Sequence, residues 1–296
     1  MYRIILVLCV FVTFPLTGQD GTNKTLSIHY EELTAPDFTE AVEKSQGVCV
    51  IPMGIMEKHG PHLPLGTDMI NIREIVNRAA MREFVVVFPP FYFGQINEAK
   101  QQPGTLAYSP QLIWDLLQET CDELARNGFD KIILVNGHGG NNDFLHYFVF
   151  SQNASPKSYG IYLYEPRMDE EVTAKTEAMV KSTLEDMHAG ELETSEMLVI
   201  RPDLVKLTTA HDQSGEDLAR LSNLSEFFTP LWWYARFPNH YAGDAIHANA
   251  ELGNFLVDEK VKHLSKAILE VKRDTTLKKL QEQFYMESRN PLNKKQ

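Results

Sequence analysis

The sequence predicts an α/β fold with a mostly parallel central sheet, and three observations carry that prediction. Apolar runs rich in valine and isoleucine recur at residues 47–55, 84–93 and 131–135. Runs of this kind belong to strands buried on both faces. Segments with helical spacing of apolar residues separate them, and strands alternating with helices indicate a parallel sheet. No internal repeat and no linker-like composition interrupts the chain, so residues 21–296 read as a single domain.

Taken in order, residues 1–20 carry one positive charge, a short apolar run and small residues near Gly18. This is the pattern of a secretory signal peptide, too short for a membrane span. An exported protein, periplasmic or secreted and free of the membrane after cleavage, is expected. Thr34 or Asp37 is placed to cap a short helix. The first strand follows at 47–55, then a loop, then a helix over 69–84 whose Ile70, Ile72, Ile75, Val76 and Ala79 lie near one stripe. In the second apolar run, Pro89-Pro90 ends regular pairing. Ser109-Pro110 opens a helix that Gly128 ends. The third strand is followed by a helix capped by Asn141 or Asn142. Residues 158–164 form a strand nearer the sheet edge. A charged helix is expected over 169–187, another over 191–200 stopped by Pro202, and a closing helix over 250–272. Residues 203–246 are irregular and aromatic, and the last two dozen residues are expected to fray. The formal net charge of −12 argues against a nucleic-acid surface. After the signal, Cys49 and Cys121 remain, one in a strand and one in a helix, and read as core thiols.

The chemistry gathers in three places. Directly after the first strand, Glu57, His59, His62 and Asp68 stand among Gly54, Gly60, Gly66, Pro61 and Pro64. Glycine and proline at that density prevent helix and specify a loop path. Glu57 and His59 are two apart, so an extended segment puts both on one face. After the third strand comes N-G-H-G-G-N-N, with His138 between glycines. In open α/β sheets ligands bind beyond the carboxyl ends of the strands, where these two loops should meet. The third place is D-M-H-A-G-E-L-E-T-S, containing His188, Glu191 and Glu193. Glu57, His59, Asp68, His138 and one of Glu191 or Glu193 make five nitrogen and oxygen ligands. That is too many for one catalytic zinc with an open position, and it suits two metals bridged by a carboxylate. Such a pair serves hydrolysis of an amide-type bond, with a nearby histidine donating a proton to the leaving nitrogen.

G-I-M-E-K-H-G-P-H-L-P-L-G-T-D, V-N-G-H-G-G-N and H-A-G-E-L-E-T-S-E-M together resemble the creatininase (creatinine amidohydrolase) family, from about Gly47 to Gly253. P-G-T at 103–105 and the segment from Gly243 to Gly253 are weaker matches in the same order. The resemblance implies a three-layer α/β/α sandwich, two divalent ions per chain (Zn2+ or Mn2+, with Fe2+ admissible), a small-molecule amide substrate and a homo-oligomer, often a hexamer. It implies that Glu57 and His59 each hold a metal, that Asp68 bridges, that His138 holds one more position, and that His188 carries the catalytic proton beside Glu193. Where creatinine-cleaving members have N-G-H-Y-E-N, with a ligand glutamate, this chain has Gly140; Glu191, apolar in those members, is expected to supply the missing carboxylate. Their tryptophan-aspartate pair falls on Leu184-Glu185, and the histidine many members carry before P-G-T falls on Ala99. The expected function is therefore an exported dinuclear-metal amidohydrolase acting on a non-peptide C–N bond, with creatinine itself disfavoured. The rivals are a lactonase or sugar isomerase on the same metals, and a metal- or solute-binding protein without turnover.

Overall fold

The structure, a computed structural model, describes residues 25–293. The expected signal peptide lies outside the described residues.

Four strands form one sheet in the order β2-β1-β3-β4, every pair parallel. They are β1 (Val48–Met53), β2 (Val86–Val87), β3 (Lys131–Asn136) and β4 (Gly160–Tyr164). Side chains alternate across β1 and β3, and each set meets its own helical layer. Cys49, Ile51, Met53, Ile132 and Leu134 pack with Leu117, Cys121 and Leu124 of α3 (Pro110–Arg126) and with Leu145 and Phe148 of α4 (Asn142–Ser151). Ala41 of α1 (Ala35–Lys44) closes the same layer. Val48, Val50, Ile133 and Val135 face the other way, onto Ile72, Ile75, Val76 and Ala79 of α2 (Thr67–Arg82) and Val257, Val261, Leu264 and Ile268 of α8 (Ala250–Arg273). The result is the three-layer α/β/α sandwich. The remaining helices are α5 (Glu170–Met179), α6 (Glu191–Ile200), α7 (Trp232–Arg236) and α9 (Thr276–Ser288).

Two of the expected caps act where the sequence puts them, while Asn141 precedes α4 without a side-chain capping bond. The Thr34 side chain accepts from the Asp37 amide, and Ser109 accepts from the Leu112 amide ahead of Pro110. Three expectations change. β2 is only two residues long because Pro89 and Pro90 end its ladder, although a single bridge joins Met53 to Phe91. α5 stops at Met179, and residues 180–190 run without helix. Residues 276–288 form a helix, α9, where fraying was expected, and it packs against the start of β4. There the Tyr285 hydroxyl shares its one proton between the Gln152 and Ser155 carbonyls (2.8 and 2.7 Å), and Gln281 donates to the Tyr159 carbonyl.

Register brings the chemistry together. Met53 pairs with Asn136, so the loops after β1 and β3 leave the sheet side by side. Asp68 lies in the first turn of α2, whose N-terminus starts at the end of the first loop.

Candidate metal centre

Glu57, His59, Asp68 and His138 are buried together beyond the carboxyl ends of β1 and β3. Hydrogen-bond donors decide what each histidine offers. His59 Nδ1 lies 3.3 Å from its neighbour Glu57's carbonyl oxygen, which only accepts, so the ring proton sits there. That leaves Nε2, 2.9 Å from Asp68 Oδ1, as the lone-pair nitrogen. His138 is arranged the other way round. Its Nε2–H donates to the Gln95 carbonyl (3.0 Å), and Nδ1 points at Glu57 Oε1 (2.9 Å) and Asp68 Oδ2 (3.2 Å). These two carboxylate oxygens are close to the imidazole, and both are buried with no other donor. A lone pair converging with two anionic oxygens needs a cation between them.

Besides Glu57/His59/His188, two candidate ligand sets share Asp68, Glu57/Asp68/His138 and His59/Asp68/Glu193, with the ligand atoms of each set within 4.8 Å of one another. Asp68 belongs to both, one oxygen to each imidazole. The electrostatics agree. Burial pushes the His59 imidazole down, but Asp68 and then Glu57 outweigh it and raise it to about 10. His138 is likewise held well above its ordinary value against burial, by Glu57 and Asp68. Burial pushes the Glu57 carboxyl up, and the surrounding imidazoles, His138 and His188 first, hold it well below the usual range. The pocket floor is a place that demands positive charge.

His188 is the counterpart that stays neutral. Burial, with the neighbouring His59 and His240 rings, lowers it well below the ordinary value. Its Nε2–H donates to the Lys58 carbonyl (2.8 Å), which leaves Nδ1 as the basic nitrogen. Its ring lies against His59 and His240, with centroids 4.3 Å away in both cases. An antiparallel bridge to Ala242 holds the backbone, and Ala189 beside it has φ +58°. Glu193 is pushed up to about 7, chiefly by burial, and its Oε2 accepts from the Ala189 amide.

Glu191 does not join the cluster, which corrects the expectation that it supplies a ligand. It is fully buried, but Oε2 accepts from the Lys181 and Ser182 amides (2.9 and 2.7 Å). Residues two apart on a helix leave in different directions. With Glu193 turned to the metal cluster, Glu191 turns to the non-helical segment that follows α5. Gly140, where creatinine-cleaving relatives were expected to carry a ligand glutamate, has no room for one: a Cβ there would lie 2.4 Å from His138 Nε2 and 2.8 Å from Glu98 Oε1.

One residue was missed. His240, buried in the aromatic segment, places Nε2 in hydrogen-bond contact with Glu57 Oε2. The signal was present in N-H-Y-A-G-D, a histidine just ahead of the weakly matching Gly243 segment. Aromatic packing nearby hid it. The same segment forms one wall of a cavity of about 840 Å³ above the cluster, through Phe228, Trp232 and Trp233. Gln95, Glu98, Asn142, Asp143 and Phe144 stand around the rest. Among the described residues, no lysine or arginine lines it.

A three-layer parallel α/β fold with buried carboxylate–imidazole sets at the carboxyl end of its sheet defines a metal-dependent hydrolase. The family of creatinine amidohydrolases, by its sequence model, matches residues 31–268, and the chain belongs to this creatininase family. It is similar to the creatinine amidohydrolase of Pseudomonas putida, 26% identical over 63% of this chain and 76% of that one. The 3-dehydro-scyllo-inosose hydrolase of Thermotoga maritima is 22% identical over 82% and 83% of the two chains. The mycofactocin precursor peptide peptidase of Mycolicibacterium smegmatis is 32% identical over 52% and 58%. A crystal structure of creatininase superposes with a TM-score of 0.71 at 22% identity, over 85% of this chain and all of that one. Manganese and Zn-Zn forms of creatininase, each at 22% identity over 84% of this chain and all of theirs, have TM-scores of 0.70.

Proposed function

We propose that this chain is an exported, dinuclear-metal amidohydrolase that cleaves a C–N bond in a neutral or cationic organic amide. The observation that supports two metals is the position of Asp68, one oxygen toward His59 Nε2 and the other toward His138 Nδ1, with each imidazole's proton committed to a backbone carbonyl. Glu57, Asp68 and His138 would hold one ion, and His59, Asp68 and Glu193 the other. Two divalent ions there would supply an acidified water and polarise the substrate carbonyl.

The chain's own residues do the rest. His188 is neutral, with a free Nδ1 beside the cluster. It takes a proton there and returns it to the departing nitrogen, while the Lys58 carbonyl keeps the ring oriented. The aromatic wall takes a planar group, and the absence of lysine and arginine among the described lining residues disfavours phosphorylated or polycarboxylate substrates. Creatinine would fill a small part of such a cavity.

Elemental analysis of the purified protein tests this first. About two zinc or manganese ions per chain are expected. Chelation should abolish turnover of an active amide, with metal restoring it; no metal bound and none taken up would overturn the reading. A second reading, hydrolysis of a polyol-derived ring, is favoured by the long match to the Thermotoga inosose hydrolase. Release of an amine separates the two. Export predicts that the mature N-terminus, read by mass spectrometry from the natural host, begins near residue 20; an intact Met1 would refute it.

A further inference from the structure

Among the described residues, His240 contacts a candidate metal ligand, Glu57, while belonging to none of the candidate ligand sets. Its partners decide what it does. Trp233 Nε1–H donates to His240 Nδ1 at 2.7 Å. An indole nitrogen can only donate, so Nδ1 carries the lone pair. A doubly protonated ring would set two N–H groups against each other. The ring is therefore neutral with its proton on Nε2, the nitrogen that faces Glu57 Oε2. His240 donates to that oxygen and has no lone pair there for a cation. The other oxygen, Oε1, is left toward His138 Nδ1 without a donor.

The fold commits resources to this placement. His240 is buried at φ +57°, a left-handed conformation that costs a non-glycine residue energy. It is held there by its amide on the Phe237 carbonyl and by the nearby bridge between His188 and Ala242. Lys58, next to Glu57, binds the carbonyl of Asn239, next to His240. Trp233 reaches in from α7, and its ring also lies on the pocket wall.

We infer that His240, locked in one tautomer by Trp233, is a positioning residue: it pins Glu57 Oε2 so that Oε1 alone is presented to the ion shared with Asp68 and His138. The inference rests on the metal-centre reading above. A partner that orients a ligand in this way typically contributes about 10- to 100-fold in metal affinity. The arrangement also links the pocket wall to the metal site through one indole.

The test uses the full mature protein and measures zinc dissociation constants by chelator competition, with circular dichroism to check folding. H240A should weaken one of two sites about 10- to 100-fold and leave the other. H240Q, which restores an N–H at a similar reach, should recover part of the loss. W233F should give a smaller loss, because it removes only the group that fixes the tautomer. Histidine-selective 15N NMR should show a protonated Nε2 and a bare Nδ1 at position 240, turning into a tautomer mixture in W233F. Unchanged affinity in H240A and H240Q with a two-site wild type would overturn the inference, as would direct metal coupling at His240 Nε2. If H240A does not fold, H240Q and W233F decide between the same outcomes. A wild type that takes no zinc would instead overturn the metal-centre reading itself.

Discussion

Asp68 and Glu191 show what single side chains do and how far they could be read. Asp68→Asn keeps the shape but removes the charge that both imidazoles face, so metal content should fall from about two ions per chain to below one, measured by elemental analysis. Glu191→Gln should leave metal content unchanged and lower thermal stability. It loses the charge that makes the bonds to the Lys181 and Ser182 amides strong, about 1–3 kcal/mol. A loss of one ion in Glu191→Gln with no change in melting would return Glu191 to the metal site. Glu57, His59 and His138 were legible as candidates because they follow strands in loops too rich in glycine and proline to be regular, and Asp68 because it opens the helix that ends the first of those loops. The choice between Glu191 and Glu193 was not, because both fit the first turn of one helix. Which of them faces the cluster depends on how α6 is rotated against the rest of the molecule. His240 was illegible for a related reason: its meaning comes from Trp233 and Glu57, the latter 183 residues away.

That rotation is set at the element scale, where α6 packs on α8. Gly253 of α8 lies so close that a Cβ would sit 1.9 Å from the Ser195 carbonyl oxygen. Backbone cannot yield as a flexible side chain does, so Gly253→Ala should push the two helices apart. A loss of several kcal/mol, of the order seen for core overpacking, is expected in urea unfolding. A near-neutral Gly253→Ala would mean that the helices slide freely. Strands and long helices were readable from periodicity, since β1, β3, α2, α3 and α8 bury one face or both in two continuous cores. The end of α5 was misjudged, and α9 was not predicted as a helix at all. A charged sequence favoured prolonging the first, and polar composition favoured fraying the second. Contacts with Glu191 and with the β4 edge, which no local pattern records, decided otherwise.

At the scale of the whole molecule, the buried charge makes stability and metal binding oppose one another with pH. His59 is raised from its ordinary 6.5 to about 10. In the metal-free protein its charge contributes stability that is fully present below about pH 6.5 and lost as pH rises through 10. A metal must displace that proton, so its apparent affinity rises as pH rises, up to about tenfold per unit for each proton released. The gain in melting temperature on adding zinc should therefore grow between pH 6 and pH 9, while the metal-free protein becomes less stable over the same interval. Differential scanning fluorimetry at fixed zinc reads both trends, and a zinc effect that shrinks with pH would contradict the cluster as described.

The space above Gly140 has a consequence for the history of the chain. His138 Nε2, the Glu98 carboxylate and the Gln95 carbonyl fill the volume a side chain at 140 would enter. Positions 98 and 140 thus share one small compartment with the His138 ring. A larger residue at 140 requires the Glu98 carboxylate to withdraw and the His138 ring to shift as well. Across relatives, the two sites should vary as a reciprocal pair, a large residue at one accompanying a small one at the other.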